Sequence, residues 1–249
     1  MRGVRAFGRL VAAALALVAA APAAAGVVNP GYYVVTVYDD PGVRTVDFRY
    51  WTVRADSSDT TIVWPEVGLG WNVKGRWYTE LLASWIDSSK FPSRLETLNW
   101  QNDVLLTQGQ YPFDLAVHTL LVRPQNPASG WALEIGPALQ TDIDRTQLNL
   151  NVFFQRGFKS LEGPTELAYQ WQVRHRWQRW LHVGAQGFGE VGPWDRWLPQ
   201  DQQSHRAGPA LFGSFAIDPG KLNWQAAYLL GKTYGRRGEM FTMRVKYDF

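Results

Sequence analysis

The sequence contains no cysteine. That absence excludes disulfide staples, and it excludes the acylated cysteine of a lipoprotein anchor. Histidine is nearly as scarce: four residues lie scattered along the chain, too far apart to suggest a metal cluster. Asp142-x-Asp144 reads as turn chemistry rather than a calcium loop. Phosphate-loop and dinucleotide glycine fingerprints are missing, so no cofactor is expected. Beyond the first residues no run approaches ~18 uncharged apolar positions, which excludes a bundle of membrane-spanning helices.

What is present begins with an address. Arg2, Arg5 and Arg9 form a positive n-region, residues 10–20 an apolar stretch, and residues 21–25 end in an Ala-x-Ala pattern. This is the signature of a secretory signal peptide over residues 1–25, since the uncharged run is shorter than the ~20 residues of a spanning helix. The leader also holds three of the 25 Lys and Arg residues, leaving 22 basic against 22 acidic in the remainder. The apparent basicity is therefore a targeting feature, and a nucleic-acid footprint is not indicated.

The chain carries 13 Trp, 10 Tyr and 12 Phe without an apolar helix to place them on, a composition that suits interface girdles on a barrel or the core of a β-sandwich. Periodicity decides between these. Strand-like runs fall near 43–54, 60–72, 76–87, 95–106, 112–123, 131–140, 146–155, 165–175, 181–191, 206–217, 222–232 and 239–249. That is about 12, each near the ~9 to 11 residues of a tilted membrane-crossing strand. In 146–155, Thr146, Leu148, Leu150, Val152 and Phe154 alternate with Gln147, Asn149, Asn151 and Gln155, Phe153 being the exception. In 165–175, Leu167, Tyr169, Trp171 and Val173 oppose Glu166, Gln170, Gln172 and Arg174. Polar amides in mid-strand suit a wet or hydrogen-bonded lumen, and the apolar rows suit lipid. The expected fold is an all-β, antiparallel up-and-down transmembrane barrel over residues 43–249.

The turns also alternate. Short connections at 73–75, 107–111, 141–145, 176–180 and 218–221 fall between longer ones at 55–59, 88–94, 124–130, 156–164, 192–205 and 233–238. Short periplasmic turns and long outer loops place both termini in the periplasm. Trp71, Trp77, Trp177, Trp180, Tyr247 and Phe249 then sit toward the periplasmic rim, and Trp85 and Trp131 toward the outer one. Residues 26–42 form a separate periplasmic or lumenal segment, β-prone over 32–38 but set apart by Pro30 and the 39–42 turn. Gly136-Pro137-Ala138-Leu139 and Gly208-Pro209-Ala210-Leu211 echo each other inside two strands.

The last strand alternates to its end: Phe241, Met243, Val245, Tyr247 and Phe249 on one face, Thr242, Arg244, Lys246 and Asp248 on the other. The leader, the alternating strands and the closing Val245-x-Tyr247-x-Phe249 resemble Gram-negative outer-membrane β-barrel proteins. The resemblance implies an outer-membrane location, contact with outer-membrane lipid, and Val245, Tyr247 and Phe249 as the signal read by the barrel-assembly machinery. More loosely, the chain looks like small outer-membrane transporters associated with aromatic-degradation pathways.

Strand parity points Asp47, Arg49, Glu66, Glu80, Asp114, His118, Glu134, Glu166, Glu190, Arg206 and Arg244 inward. Glu134, Glu166 and Glu190 lie toward the outer end, so one reading is an acidic mouth above Arg49 and Arg244 that favours cations. The other is that these charges pair across a narrow lumen and fill it. The expectation is a passive channel or transporter for a small-molecule solute, with a plugged barrel of structural, adhesive or assembly role as the alternative. A hydrolase is a further alternative with little support. Outer-membrane phospholipases and deacylases place His and Ser two apart on a strand, whereas here His118 is followed at that spacing by Leu120, His175 by Trp177, His182 by Gly184 and His205 by Ala207.

Overall fold

The computed structural model describes residues 31–37, 42–73, 75–233 and 235–249. The leader expected over residues 1–25 lies outside the described residues. Twelve strands follow one another: β1 (Arg44–Ala55), β2 (Ile62–Asn72), β3 (Trp77–Ser88), β4 (Phe91–Leu105), β5 (Asp114–Pro124), β6 (Trp131–Ile143), β7 (Thr146–Phe158), β8 (Glu166–His175), β9 (His182–Pro193), β10 (Ser204–Ile217), β11 (Gly220–Thr233) and β12 (Arg236–Asp248). Each pairs antiparallel with its sequence neighbours, and β1 pairs with β12, so the sheet is closed. The closing rungs run from Thr45 opposite Asp248 to Ala55 opposite Gly238, and beyond them Arg44 and Phe249 exchange two backbone hydrogen bonds of 2.9 Å. Closure removes the unpaired edge that a bilayer does not tolerate.

The alternation in the sequence becomes inside and outside. On β4, Thr97, Asn99, Gln101, Asp103 and Leu105 are buried in the lumen, while Leu98, Trp100 and Val104 face out. Val67, Leu69, Leu81, Ile135, Leu150, Leu211 and Leu230 continue the exposed apolar belt on other strands. In water such a belt is an aggregation hazard; against lipid it is the solvent-facing surface. Trp71, Trp77, Trp177, Trp180 and Phe249 are exposed toward the rim that carries the start of β1 and the end of β12, while Trp194 and Trp197 are exposed beyond β9, at the other rim.

Two expectations about local structure need correction. The short-and-long alternation of turns holds only in part: β4 ends at Leu105 and β5 begins at Asp114, a long connection on the rim assigned short turns. On the opposite rim β3 ends at Ser88 and β4 begins at Phe91, a two-residue turn. Pro92 and the polar residues around it read as loop, yet they sit in a strand that continues the ladder, Ser88 opposite Phe91 and Ile86 opposite Arg94. Phe153, the exception in its strand, is no irregularity: it faces the lumen and is fully buried.

Prolines within strands mark interruptions of the ladder. Between β6 and β7 the register runs from Ile135 opposite Phe154 directly to Ala138 opposite Asn151, skipping Gly136 and Pro137. Between β10 and β11 it runs from Ala207 opposite Leu230 to Ala210 opposite Ala227, skipping Gly208 and Pro209. A proline lacks the N–H that a ladder needs, so in both places the strand keeps its register with one neighbour and loosens it with the other. The alanines that follow, Ala138 and Ala210, are buried in two different clusters of the lumen. Their small side chains leave room for what lies between.

Candidate functional site in the barrel lumen

That occupant is the chain itself. Residues 31–37 run inside the barrel, and their alternating side chains pack on two different walls. Tyr32 and Val34 join Trp51, Phe188, Ala210, Phe212, Ala227, Leu229 and Met240 in one buried cluster. Tyr33 and Val35 join Ala116, Ala138 and Phe153 in another, with Val37 against it. The segment is no strand of the sheet, so its backbone groups need partners from side chains. Val35 N donates to Gln170 Oε1 at 3.0 Å, and Val35 O accepts from Asn151 Nδ2 at 2.8 Å. Asn151 also donates to Gln170 Oε1 at 3.1 Å, which fixes the pair as a clamp. Gly31, at φ 115°, brings the chain against the Glu66 carboxylate; a Cβ there would stand 3.3 Å from both oxygens.

Beside this segment lies a continuous belt of buried charge. Asp47 on β1 accepts from Arg49 at 2.8 Å and from Arg244 on β12 at 2.7 Å. Arg49 reaches Glu80 on β3 at 2.6 Å and Gln101 on β4 at 3.2 Å. Gln101 donates to Asp103 at 2.6 Å, and His118 on β5 stands between Asp103 at 2.6 Å and Glu134 on β6 at 3.2 Å. Gln155 on β7 closes the series with a 2.5 Å hydrogen bond to Glu134. Beside it, Ser84 donates to Glu66 at 2.7 Å and accepts from Asn99 at 3.1 Å. Tyr33 sits on the belt: its hydroxyl donates to Gln101 at 2.9 Å and its ring lies 3.6 Å from the Arg49 guanidinium carbon. Buried charges of this kind persist only when each has an opposite charge or a hydrogen bond, and here the belt and the tyrosine supply both.

The remaining lumen candidates sit higher on the walls. Arg206 on β10 is bonded to Glu190 on β9, donates to Thr233 Oγ1 at 2.8 Å, and stands 4.0 Å from the centre of the Tyr32 ring. Glu166 opens β8 and is half-buried. Thus Arg49, Glu66, Glu80, His118, Glu134, Arg206 and Arg244 are all buried inside. The acidic mouth does not take the form expected: Glu134 is engaged by His118 and Gln155, and Glu190 by Arg206, leaving Glu166 as its one member with no basic partner among the described residues. The Asp103–His118 pair has the look of half a catalytic triad. Yet His118 is fully buried and its second nitrogen faces a carboxylate, so neither nitrogen is placed to take a proton from a nucleophile.

Sequence reasoning missed Tyr32, Tyr33, Asn151, Gln170 and Gln101 as parts of the site. The available signal was Tyr32-Tyr33-Val34-Val35, an apolar stretch too short and too isolated to be a membrane strand, together with amides on facing strands.

No protein-family model matches the chain, and no curated protein matches it. Solved structures do. An outer-membrane channel from Pseudomonas putida F1 aligns over 89% of this chain and 100% of its own, with 14% identity and a TM-score of 0.61. The KdgM porin, solved in complex with disordered oligogalacturonate, aligns over 82% of this chain and 99% of its own, with 10% identity and a TM-score of 0.57. The NanC porin gives a TM-score of 0.56 at 10% identity, over 82% of this chain and 100% of that one. At such identities the likeness is one of fold. The chain is a closed twelve-stranded antiparallel β-barrel with an apolar outer wall, and its fold is that of the outer-membrane channel and porins it aligns with.

Proposed function

We propose that the protein is a passive outer-membrane channel for small polar solutes. The observation that carries this reading is the contrast between walls: an apolar outer face, and an inner wall where buried charges, amides and hydroxyls stand beside two apolar clusters. Residues 31–37 narrow that lumen, so the solutes it passes are small ones that move beside the segment rather than through a wide pore. The start of β1 and the end of β12 lie at one rim of the barrel, and we read this rim as the periplasmic one. Val245, Tyr247 and Phe249 form the outward face of the closing strand, the position from which the barrel-assembly machinery would read them.

A second reading is favoured by the same segment: a barrel whose filled lumen passes nothing and whose role is structural, adhesive or in assembly, acting through residues 192–205. Swelling of proteoliposomes in isosmotic glycerol, alanine or arabinose separates the two. A channel gives swelling that slows with solute size; the filled barrel gives none above protein-free vesicles.

A further inference from the structure

Between Thr36 of the lumenal segment and the wall of β8 and β10–β12 lies a cavity of about 180 Å³. Gln172, Arg174, Phe212, Gln225, Arg244 and Lys246 line it. The three cations are not equivalent. Arg244 is paired with Asp47 at 2.7 Å and Lys246 with Asp248 at 2.9 Å. Arg174 has instead a neutral setting: its Nε donates to His182 Nδ1 at 2.7 Å, and its guanidinium carbon stands 5.5 Å from the centre of the Phe212 ring. Among the described residues no carboxylate lies within 4.0 Å of it. Asp142, the acid whose field reaches it, is bonded to Arg176 at 2.5 Å. The two terminal nitrogens of Arg174 make no hydrogen bond among the described residues, and they form the planar fork that matches a carboxylate.

Arg174 is half-buried and makes no ion pair among the described residues, so its guanidinium presents a free fork at the cavity wall, which an entering anion would complete. The cavity holds the volume of about six waters, at ~30 Å³ each, which matches a solute of about that many non-hydrogen atoms. We propose that Arg174 anchors a binding site for a small monocarboxylate, with Gln225 on the wall of the same cavity. The inference rests on the channel reading only for its use in transport, since binding requires access from one side alone.

The test is calorimetric titration of the detergent-solubilised full-length protein with sodium propionate, and with propionamide as the uncharged isostere. The expected result is millimolar binding of propionate that weakens with added salt, and none of propionamide. Arg174→Gln should weaken propionate at least tenfold, and Arg174→Lys less. Should Arg174→Gln fail the heat-modifiability assay for a folded barrel, Gln225→Glu places a competing carboxylate in the same cavity and should abolish binding. Equal binding of acid and amide, unchanged binding by Arg174→Gln or Gln225→Glu, or no heat with either compound would overturn the proposal. Retained propionate binding in a protein whose vesicles do not swell would support the site while removing the channel.

Discussion

Asp47 holds two guanidinia at once, and each of these reaches a further partner or ring, so its loss propagates. Asp47→Ala would remove the carboxylate that Arg49 and Arg244 share inside the barrel. Breaking a buried pair costs roughly 3–5 kcal/mol, whereas a water-facing pair contributes less than ~1 kcal/mol. Urea unfolding followed by tryptophan fluorescence should therefore show a large drop in midpoint for Asp47→Ala and a small one for Glu96→Ala, whose partner Arg94 is exposed. Equal drops would mean that the belt is not what stabilises the lumen. Glu166 makes a second residue-level case. Because Glu134 and Glu190 have basic neighbours, Glu166→Gln should lower the cation preference in a salt gradient more than Glu134→Gln does. Identical reversal potentials for the two variants would contradict that ranking.

At the scale of elements, the lumenal segment and the closing strand have separate roles. The absence of native cysteine makes the segment easy to follow: Val35→Cys introduces the single thiol in the molecule. Buried as Val35 is, that thiol should react slowly with a maleimide. Adding Asn151→Leu and Gln170→Leu, which removes the clamp on the Val35 backbone, should speed labelling severalfold; equal rates would show that the clamp does not hold the segment. For β12, deletion of Phe249 removes the backbone exchange with Arg44 and the outermost aromatic, and should reduce the heat-modifiable form recovered from membranes.

How much of this was legible is also a matter of elements. Twelve strands were legible as strand-like runs between turn signals, and the period-two pattern was plainest in 146–155, 165–175 and 239–249, where an apolar outside and a polar inside impose opposite chemistry on alternate residues. Strand ends were less legible. Beyond the apolar outer belt a strand such as β4 continues its ladder in a stretch where Pro92 and Ser93 carry no apolar signal. Inward direction followed from parity for Arg49 or Glu134. Their partners did not, because register between strands 31 or 52 residues apart, as for Arg49 with Glu80 and Gln101, is fixed by tilt and closure rather than by local pattern. The same holds for Tyr33 and Gln101, 68 residues apart.

For the molecule as a whole, the lumen combines two features that oppose each other. A wall rich in charge and amides favours passage of polar solutes, while residues 31–37 fill the space where those groups converge. Both features fit the proposed narrow channel, in which the segment would set the width. The most direct test is single-channel recording in planar bilayers of the wild-type protein and of a variant lacking residues 31–37, both verified as folded by heat-modifiability. The account predicts a small steady conductance for the wild type and one several times larger for the deletion. Absence of current from the wild type together with a large current from the deletion would make the segment a plug rather than a gauge, and absence of current from both would contradict the channel outright.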